Sequence, residues 1–305
     1  MGEPTVGFIG FGEAAFHICS GLKSEGVEHI RAFDVMANDA ELGAKIKDRA
    51  STVGVILDSS LGELIQNTQV IFCATSAKYA LSIAEQAAPF ILSEKIYVDL
   101  NAASPKVKKE IAEVIGQTGG LFVDGAVMEA VPPHRHKVPI FLSGQGAVAF
   151  QKLLQPVGMN LTVINDQAGS SSSMKMIRSI FMKGFTALLL ETLMASHQAG
   201  VEKEIVDSIS GTLSNSSIEN LMNLLLTRTA IHAQRRVSEM KEVVETLHDM
   251  DLDSTMSQAA QRKLQGLVDL EINAFFDYQA PDHYRKVLEG IAKLQNHVER
   301  KVELN

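Results

Sequence analysis

Short apolar runs alternate with stretches of helical spacing through the first half of the chain. The runs at 5–10, 29–34, 69–74 (QVIFCA), 96–100 (IYVDL), 121–127 (LFVDGAV) and 138–143 (VPIFLS), with a shorter one near 53–57, predict strands. Helices are expected between them, near 13–25, 39–49, 60–66, 77–87 and 105–117. Such alternation implies β-α-β crossovers and hence a mostly parallel sheet covered on both faces.

The pattern changes near residue 165, where the β-rich runs stop. Ile177, Ile180, Phe181, Phe185, Leu188 and Leu189 recur at steps of three and four, and further helices are expected near 202–211, 216–228, 230–250, 254–270 and 281–301. The serine run 170–173 reads as the N-terminal cap of a long helix starting near Met174. The fold class that follows is an α/β Rossmann-type N-terminal domain with a mostly parallel sheet, residues 1–165, and an all-α C-terminal domain, residues 166–305.

Composition narrows the function classes. A chain of 305 residues, 46% hydrophobic and 21% charged, can bury a sizeable core. Its net charge of −8, without a basic stripe, argues against nucleic acid as a partner. The two cysteines, Cys19 and Cys73, lie in apolar segments and read as core rather than as a disulfide or zinc site, and His232 and His248 have no second ligand at metal spacing. The first strand begins at once, with no secretory leader, and no uninterrupted apolar run reaches membrane-spanning length; a cytoplasmic protein is expected.

The stretch TVGFIGFGEAAFHICSGL, residues 5–22, carries the first chemical signal. It completes G-x-G-x-x-G/A with Gly10, Gly12 and Ala15, the pattern of a turn from strand to helix that cradles a pyrophosphate. Gly10 would allow the tight turn, Gly12 close approach of an anion to the helix N-terminus, and Ala15 close packing of helix on strand; Glu13 belongs to the same cofactor-binding turn. Asp34 ends the second strand, 24 residues after Gly10, where a carboxylate accepts from both ribose hydroxyls and repels a 2′-phosphate, so NAD is preferred over NADP. Asp34 reads otherwise as a turn residue or helix cap. Ligands of such sheets sit at the carboxyl ends of the strands, where Thr75, Ser76, Asn101 and Ser104 fall.

The second signal lies where the chain leaves the sheet. Lys175, Arg178 and Ser179 follow at i, i+3 and i+4 and project from one helix face, opposite the apolar stripe. The plain reading is a solvated helix start. The functional one is a lysine partly desolvated beside a cleft, its pKa lowered into the range of a general acid or base. PPHRHKVP, 132–139, reads first as a solvated loop, and in HAQRRVSEMKE Arg236 and Glu239 can simply pair.

These features in this order resemble the β-hydroxyacid dehydrogenases, the family of 6-phosphogluconate and 3-hydroxyisobutyrate dehydrogenases. The resemblance rests on the glycine turn at the N-terminus, the aspartate-ended second strand, VDLNAASP near residue 100, VDGAVMEA near 124, and Gly169 six residues before Lys175. The later HAQRRVSEMKEVVETLHDMDLD is similar to the C-terminal domain of an incompletely characterised branch of that family. The resemblance implies hydride transfer between NAD(P) and a small hydroxy acid or its keto partner in a cleft between two domains, with Lys175 as general acid and base. It also implies substrate contacts from Asn101, Asp124, Gly125 and the position of Ser179, a cofactor contact from Lys241, which reads otherwise as one more charge on an exposed helix beside Glu242, and at least a homodimer.

This chain also departs from the family. Where relatives carry Asp-x-Pro-Val-Ser-Gly-Gly it has Asp124 to Ala130, with Glu129 near the place of a substrate carboxylate, and the asparagine four residues after the lysine is Ser179. Arg178 could supply the missing anion contact. Two alternatives follow: an imine reductase-like enzyme, which usually has aspartate or tyrosine near the lysine position, and a dinucleotide-binding sensor without catalysis.

Overall fold

The computed structural model of the chain describes residues 4–303, so the ends of the two expected domains, 1–3 and 304–305, lie outside the described residues. It divides into two compact units, Met1–Ile180 and Phe181–Asn305. The expected boundary at 165/166 coincides with the end of the last strand, and the first unit also takes in the start of the following helix.

Among the described residues of the first unit, eight strands form one sheet: β1 (Val6–Ile9), β2 (Ile30–Phe33), β3 (Ile56–Leu57), β4 (Val70–Cys73), β5 (Ile96–Asp99), β6 (Leu121–Val127), β7 (Ile140–Ser143) and β8 (Leu161–Asn165). Their order is β3-β2-β1-β4-β5-β6-β7-β8, parallel throughout except between β6 and β7. Helices α1 (Glu13–Ser24), α2 (Gly43–Thr52), α3 (Leu61–Gln66), α4 (Ala80–Ala87), α5 (Pro105–Gly116), α6 (Val131–His134) and α7 (Ala147–Leu154) complete the unit.

Both faces of the sheet are buried. Val70 and Phe72 of β4 pack with Ile18 and Leu22 of α1 and Phe150 of α7, whereas Ile71 and Cys73 join Leu64 of α3, Ala84 of α4 and Ile111 of α5. Two-sided burial is why the strands read as unbroken apolar runs rather than alternating ones. Cys19 and Cys73 are free and buried, and burial pushes their thiols up to about 12 and about 11, which leaves them protonated and inert.

Three of these elements were not expected: α6 forms where the sequence reads as a solvated loop. β8 forms the edge of the sheet and buries Leu161 alone, so its apolar signal is weak, and α7 is a short helix of eight residues. The long helix α8 (Ser170–Ala199) begins four residues before Met174, so the serines form its first turn instead of preceding it. Its apolar stripe is largely on the surface: Ile177, Ile180, Phe181 and Leu188 are exposed. By length and composition α8 could also cross a membrane, with mean hydropathy 1.2 over 18 residues, contrary to the sequence reading. Its first turn, however, is hydrogen-bonded into β6 and β7, as in a helix built into a globular unit.

The second unit is all helical: the rest of α8, then α9 (Glu202–Ser214), α10 (Ile218–Asp249), α11 (Thr255–Asp269), α12 (Ile272–Phe275) and α13 (Tyr284–Glu303). The expected break between 216–228 and 230–250 survives only as a kink in α10 at His232, with φ −109° and ψ 20°. Ala230, Ile272 and Val287 form its buried centre. Glu191 of α8 caps α11 by accepting from the backbone N–H groups of Met256 and Ser257 at 2.8 and 2.9 Å.

Candidate active site

β1 lies between β2 and β4, so the chain crosses from one side of it to the other, and a crevice opens at the carboxyl ends of these strands. Gly10 follows β1 with φ +83°, and a β-carbon there would stand 2.6 Å from Thr75 Cγ2 and 2.7 Å from the Ala74 carbonyl oxygen. Both the left-handed backbone and the close approach of β4 demand glycine. Gly12 differs: it is the extended N-cap of α1, gives no side-chain cap, and its absent β-carbon would meet nothing within 4 Å. The helix N-terminus therefore opens onto space into which an anion fits. Ala15 is fully buried on the inward face of α1. Glu13 is exposed in the first turn, where its carboxylate repels a phosphate, so its contribution to anion binding is confined to its backbone N–H.

Asp34 faces this turn from the end of β2. Its Oδ2 accepts from the Phe11 N–H at 2.8 Å and its Oδ1 from the Met36 N–H at 2.9 Å. A carboxylate has about four acceptor positions, so both oxygens keep capacity for ribose hydroxyls. The cap and ribose readings of Asp34 are thus compatible. Gly10, Gly12, Asp34, Thr75, Ser76 and Tyr79 help to line a cavity of about 620 Å³, and among its described lining residues Asp34 alone is charged. These features fit a dinucleotide: a cradle without a side chain, a carboxylate, and no cation for a 2′-phosphate.

Next to the cavity the polar side chains turn inward, and three expected substrate contacts need correction. Asn101 is nearly buried; its Oδ1 accepts from the Thr75 N–H at 2.8 Å and its Nδ2 donates to Asp99 Oδ1 at 2.5 Å and to Cys73 Sγ at 3.3 Å. Asp124 is fully buried, 3.1 Å from Lys108 Nζ, and accepts from Ser172 Oγ at 2.6 Å and from the Ser172 N–H at 3.0 Å. Burial alone would raise its pKa; the Lys108 charge and the serine hydrogen bonds outweigh this and hold the carboxyl below its ordinary range. Gly125 sits inside β6, where a β-carbon would stand 2.6 Å from Leu100 Cδ2. None of the three is among the described residues that line the cavity; Asp124 and Gly125 are buried and Asn101 nearly so.

The first turns of α8 pack onto the sheet through their serine face. Ser171 Oγ donates to the Asp124 carbonyl at 2.7 Å and lies 3.0 Å from Ser143 Oγ, so the face bearing Ser171 and Ser172 is the one turned onto the sheet. Lys175 follows four and three residues later on that face and is half-buried, as is Ser179. Arg178 donates from Nη1 to the Met128 carbonyl at 3.2 Å. Glu129 lies 3.0 Å from His134 Nε2, so the ring holds its carboxylate. Lys241 lies on α10 in the second unit and is exposed, 3.7 Å from Glu245, the ordinary i, i+4 pair.

Lys108 escaped the sequence reading altogether. It is fully buried, with Nζ 2.8 Å from Asp99 Oδ2, 3.1 Å from Asp124 Oδ1 and 2.7 Å from the Asp99 carbonyl oxygen. A signal was present: Lys108 shares the inward face of α5 with Ile111 and Ile115, at steps of three and four, where a lysine needs a buried partner.

Comparison with known proteins agrees with this geometry. A family profile described as "NADP oxidoreductase coenzyme F420-dependent" matches residues 5–103, and one described as "Domain of unknown function (DUF1932)" matches residues 196–267. A conserved hypothetical protein from Sinorhizobium meliloti 1021 is 34% identical, covering 96% of this chain and 97% of its own, with a TM-score of 0.62. The conserved protein MTH1747, of unknown function and described as structurally similar to 3-hydroxyacid dehydrogenases, is also 34% identical, covering 87% of this chain and 97% of its own, with a TM-score of 0.60. An imine reductase from Aspergillus terreus, solved with NADPH, shares the fold at 15% identity and a TM-score of 0.72, covering 88% of this chain and 95% of its own. The chain belongs to the 6-phosphogluconate dehydrogenase-like family of NAD(P)-dependent oxidoreductases, in a branch whose C-terminal helices are of the DUF1932 type.

Proposed function

We propose that the chain transfers hydride between a nicotinamide dinucleotide, NAD by preference, and a small anionic hydroxy acid or its keto partner. The observation that carries this reading is the orientation of α8, whose Lys175 face is bonded onto the carboxyl end of the sheet through Ser171 and Ser172. The bound nicotinamide supplies or accepts the hydride. As the substrate carbon loses hydride, the Lys175 amine takes the proton of the adjacent hydroxyl, and the O–H pair becomes the carbonyl. In reduction the Lys175 ammonium returns that proton and stabilises the developing oxyanion. Arg178 and Ser179, on the same face, contact the substrate's anionic end; the guanidinium has donors beyond the one given to Met128.

The test is a rate screen with NAD⁺ or NADP⁺ against 2- and 3-hydroxy acids, sugar acids and their phosphates, with Lys175→Ala alongside. Turnover that persists in the variant would sink the role of Lys175, and NADH binding without any turnover would favour the sensor. A second reading, reduction of an imine, draws support from the fold shared with imine reductases and is tested by adding cyclic imines to the screen. The reading also takes the protein to be a cytoplasmic homodimer joined through the exposed apolar residues of α8, with light scattering as the check.

A further inference from the structure

Between the cavity and α8 runs a buried polar chain. The Thr75 N–H, at the cavity wall, donates to Asn101 Oδ1; Asn101 Nδ2 donates to Asp99 Oδ1; Asp99 Oδ2 lies 2.8 Å from Lys108 Nζ. Lys108 Nζ reaches Asp124 Oδ1 at 3.1 Å, and Asp124 receives both the hydroxyl and the N–H of Ser172. Asp99, Lys108 and Asp124 are fully buried, and Asn101 and Ser172 nearly so. Asp99 and Asp124 are also register partners on the adjacent parallel strands β5 and β6.

The charges explain why the chain must run on to α8. Lys108 Nζ donates to the Asp99 carbonyl and stands at ion-pair distance from the Asp99 and Asp124 carboxylates, while Asp99 Oδ2 itself accepts no hydrogen bond. One ammonium cannot balance two carboxylates, so the cluster needs further donors. Asn101 supplies them at one end, and the positive N-terminus of α8, through Ser172, at the other. A shift of α8 would leave a buried carboxylate short of partners, which is costly.

We propose that this chain is a positioning link that holds the wall of the dinucleotide cavity and the first turns of the Lys175 helix in one frame. What it positions rests on the functional reading above; that it couples the two places does not. Thr75 and Ser172 lie at opposite ends, so loosening either end disturbs the other. If each contact served only its own neighbourhood, the disturbances would stay local.

A double-mutant cycle of Asn101→Ala and Ser172→Ala, read by amide hydrogen exchange, tests this. Asn101→Ala is expected to speed exchange over residues 171–178, and Ser172→Ala to speed it at Thr75, each by about tenfold or more. The double variant should exceed the larger single effect little, because a chain already broken cannot break again. Both variants should also displace the pH profile of Lys175 acylation but not that of Lys183. Effects confined to the mutated end, or multiplying in the double variant, overturn the link. Ser172→Ala keeps the backbone bond to Asp124, so its effect at Thr75 decides the matter even if Asn101→Ala does not fold. NADH titration of the unmodified protein reports on the cofactor reading separately; absent binding would remove that reading and leave the exchange result intact.

Discussion

Asp124 caps the helix that bears Lys175 from 48 residues away in sequence, taking the Ser172 hydroxyl at 2.6 Å on one carboxylate oxygen and the Ser172 N–H at 3.0 Å on the other. The cap joins the middle of β6 to a helix start, and the first prediction follows from its charge. The pKa of Asp124 is lower in the folded chain than its unfolded value of about 3.9, so the folded state binds fewer protons near that pH. Its contribution to stability is complete above about pH 4 and is lost as pH falls through the folded value. Asp124→Asn should lose about 1–3 kcal/mol at neutral pH, since it weakens the charge-assisted bonds from Ser172 while Lys108 keeps Asp99 as its ion-pair partner, and should flatten the acid limb. Denaturant midpoints measured across pH give both numbers.

The two cradle glycines should separate folding from binding. Gly10→Ala meets Thr75 and the Ala74 carbonyl in a left-handed conformation, so it should lower the melting temperature. Gly12→Ala meets nothing, so its melting temperature should stay within a few degrees of the parent. Its affinity for NADH should nevertheless fall about tenfold or more, because the methyl occupies the space at the helix N-terminus. Equal NADH affinity in Gly12→Ala and the parent would show that the space is not a cradle.

Replacing Asp34 should change selectivity more than affinity. In Asp34→Asn the charge that opposes a 2′-phosphate is gone, and one backbone bond, from Phe11 or Met36, weakens with it. The weakened turn penalises both dinucleotides, so the informative quantity is the ratio of NADPH to NADH dissociation constants. That ratio should fall by about tenfold. A ratio left unchanged would assign Asp34 to the turn alone.

Lys175→Ala should lower kcat by about 10²–10⁴-fold, the usual contribution of a positioned acid or base, while NADH affinity stays within about threefold. Glu129→Gln makes the complementary case: it breaks the pair with His134, and both side chains are about half exposed, so stability should change by less than about 1 kcal/mol. Calorimetry and steady-state kinetics on the two variants would check these expectations.

The local parts of the site were legible because their signals are local. Gly10, Gly12 and Asp34 are read from spacing, and the structure puts all three on one cavity, since a strand-helix turn and a strand end leave little freedom in where these residues go. Two-sided burial likewise marks β1, β4 and β5 as apolar runs. β8 gave no such mark because one side of it is solvent, and the 216–250 stretch was read as two helices because a kink interrupts the periodicity as a loop would.

What the amino-acid sequence determined by itself is the alternation that builds the sheet, the switch to helices after it, the glycine cradle with its acid, and the family. What only the tertiary structure decided is which way the polar side chains point. Asn101 and Asp124 occupy positions from which a ligand contact is plausible, and each turns inward because a partner from a distant segment, Thr75 for one and Lys108 with Ser172 for the other, satisfies it there. The face of α8 was decided in the same way. Periodicity identifies two faces of a helix, but Ser171, Ser172 and Arg178 find their acceptors, the carbonyl and carboxylate of Asp124 and the carbonyl of Met128, on a segment some fifty residues away, beyond the reach of any local pattern.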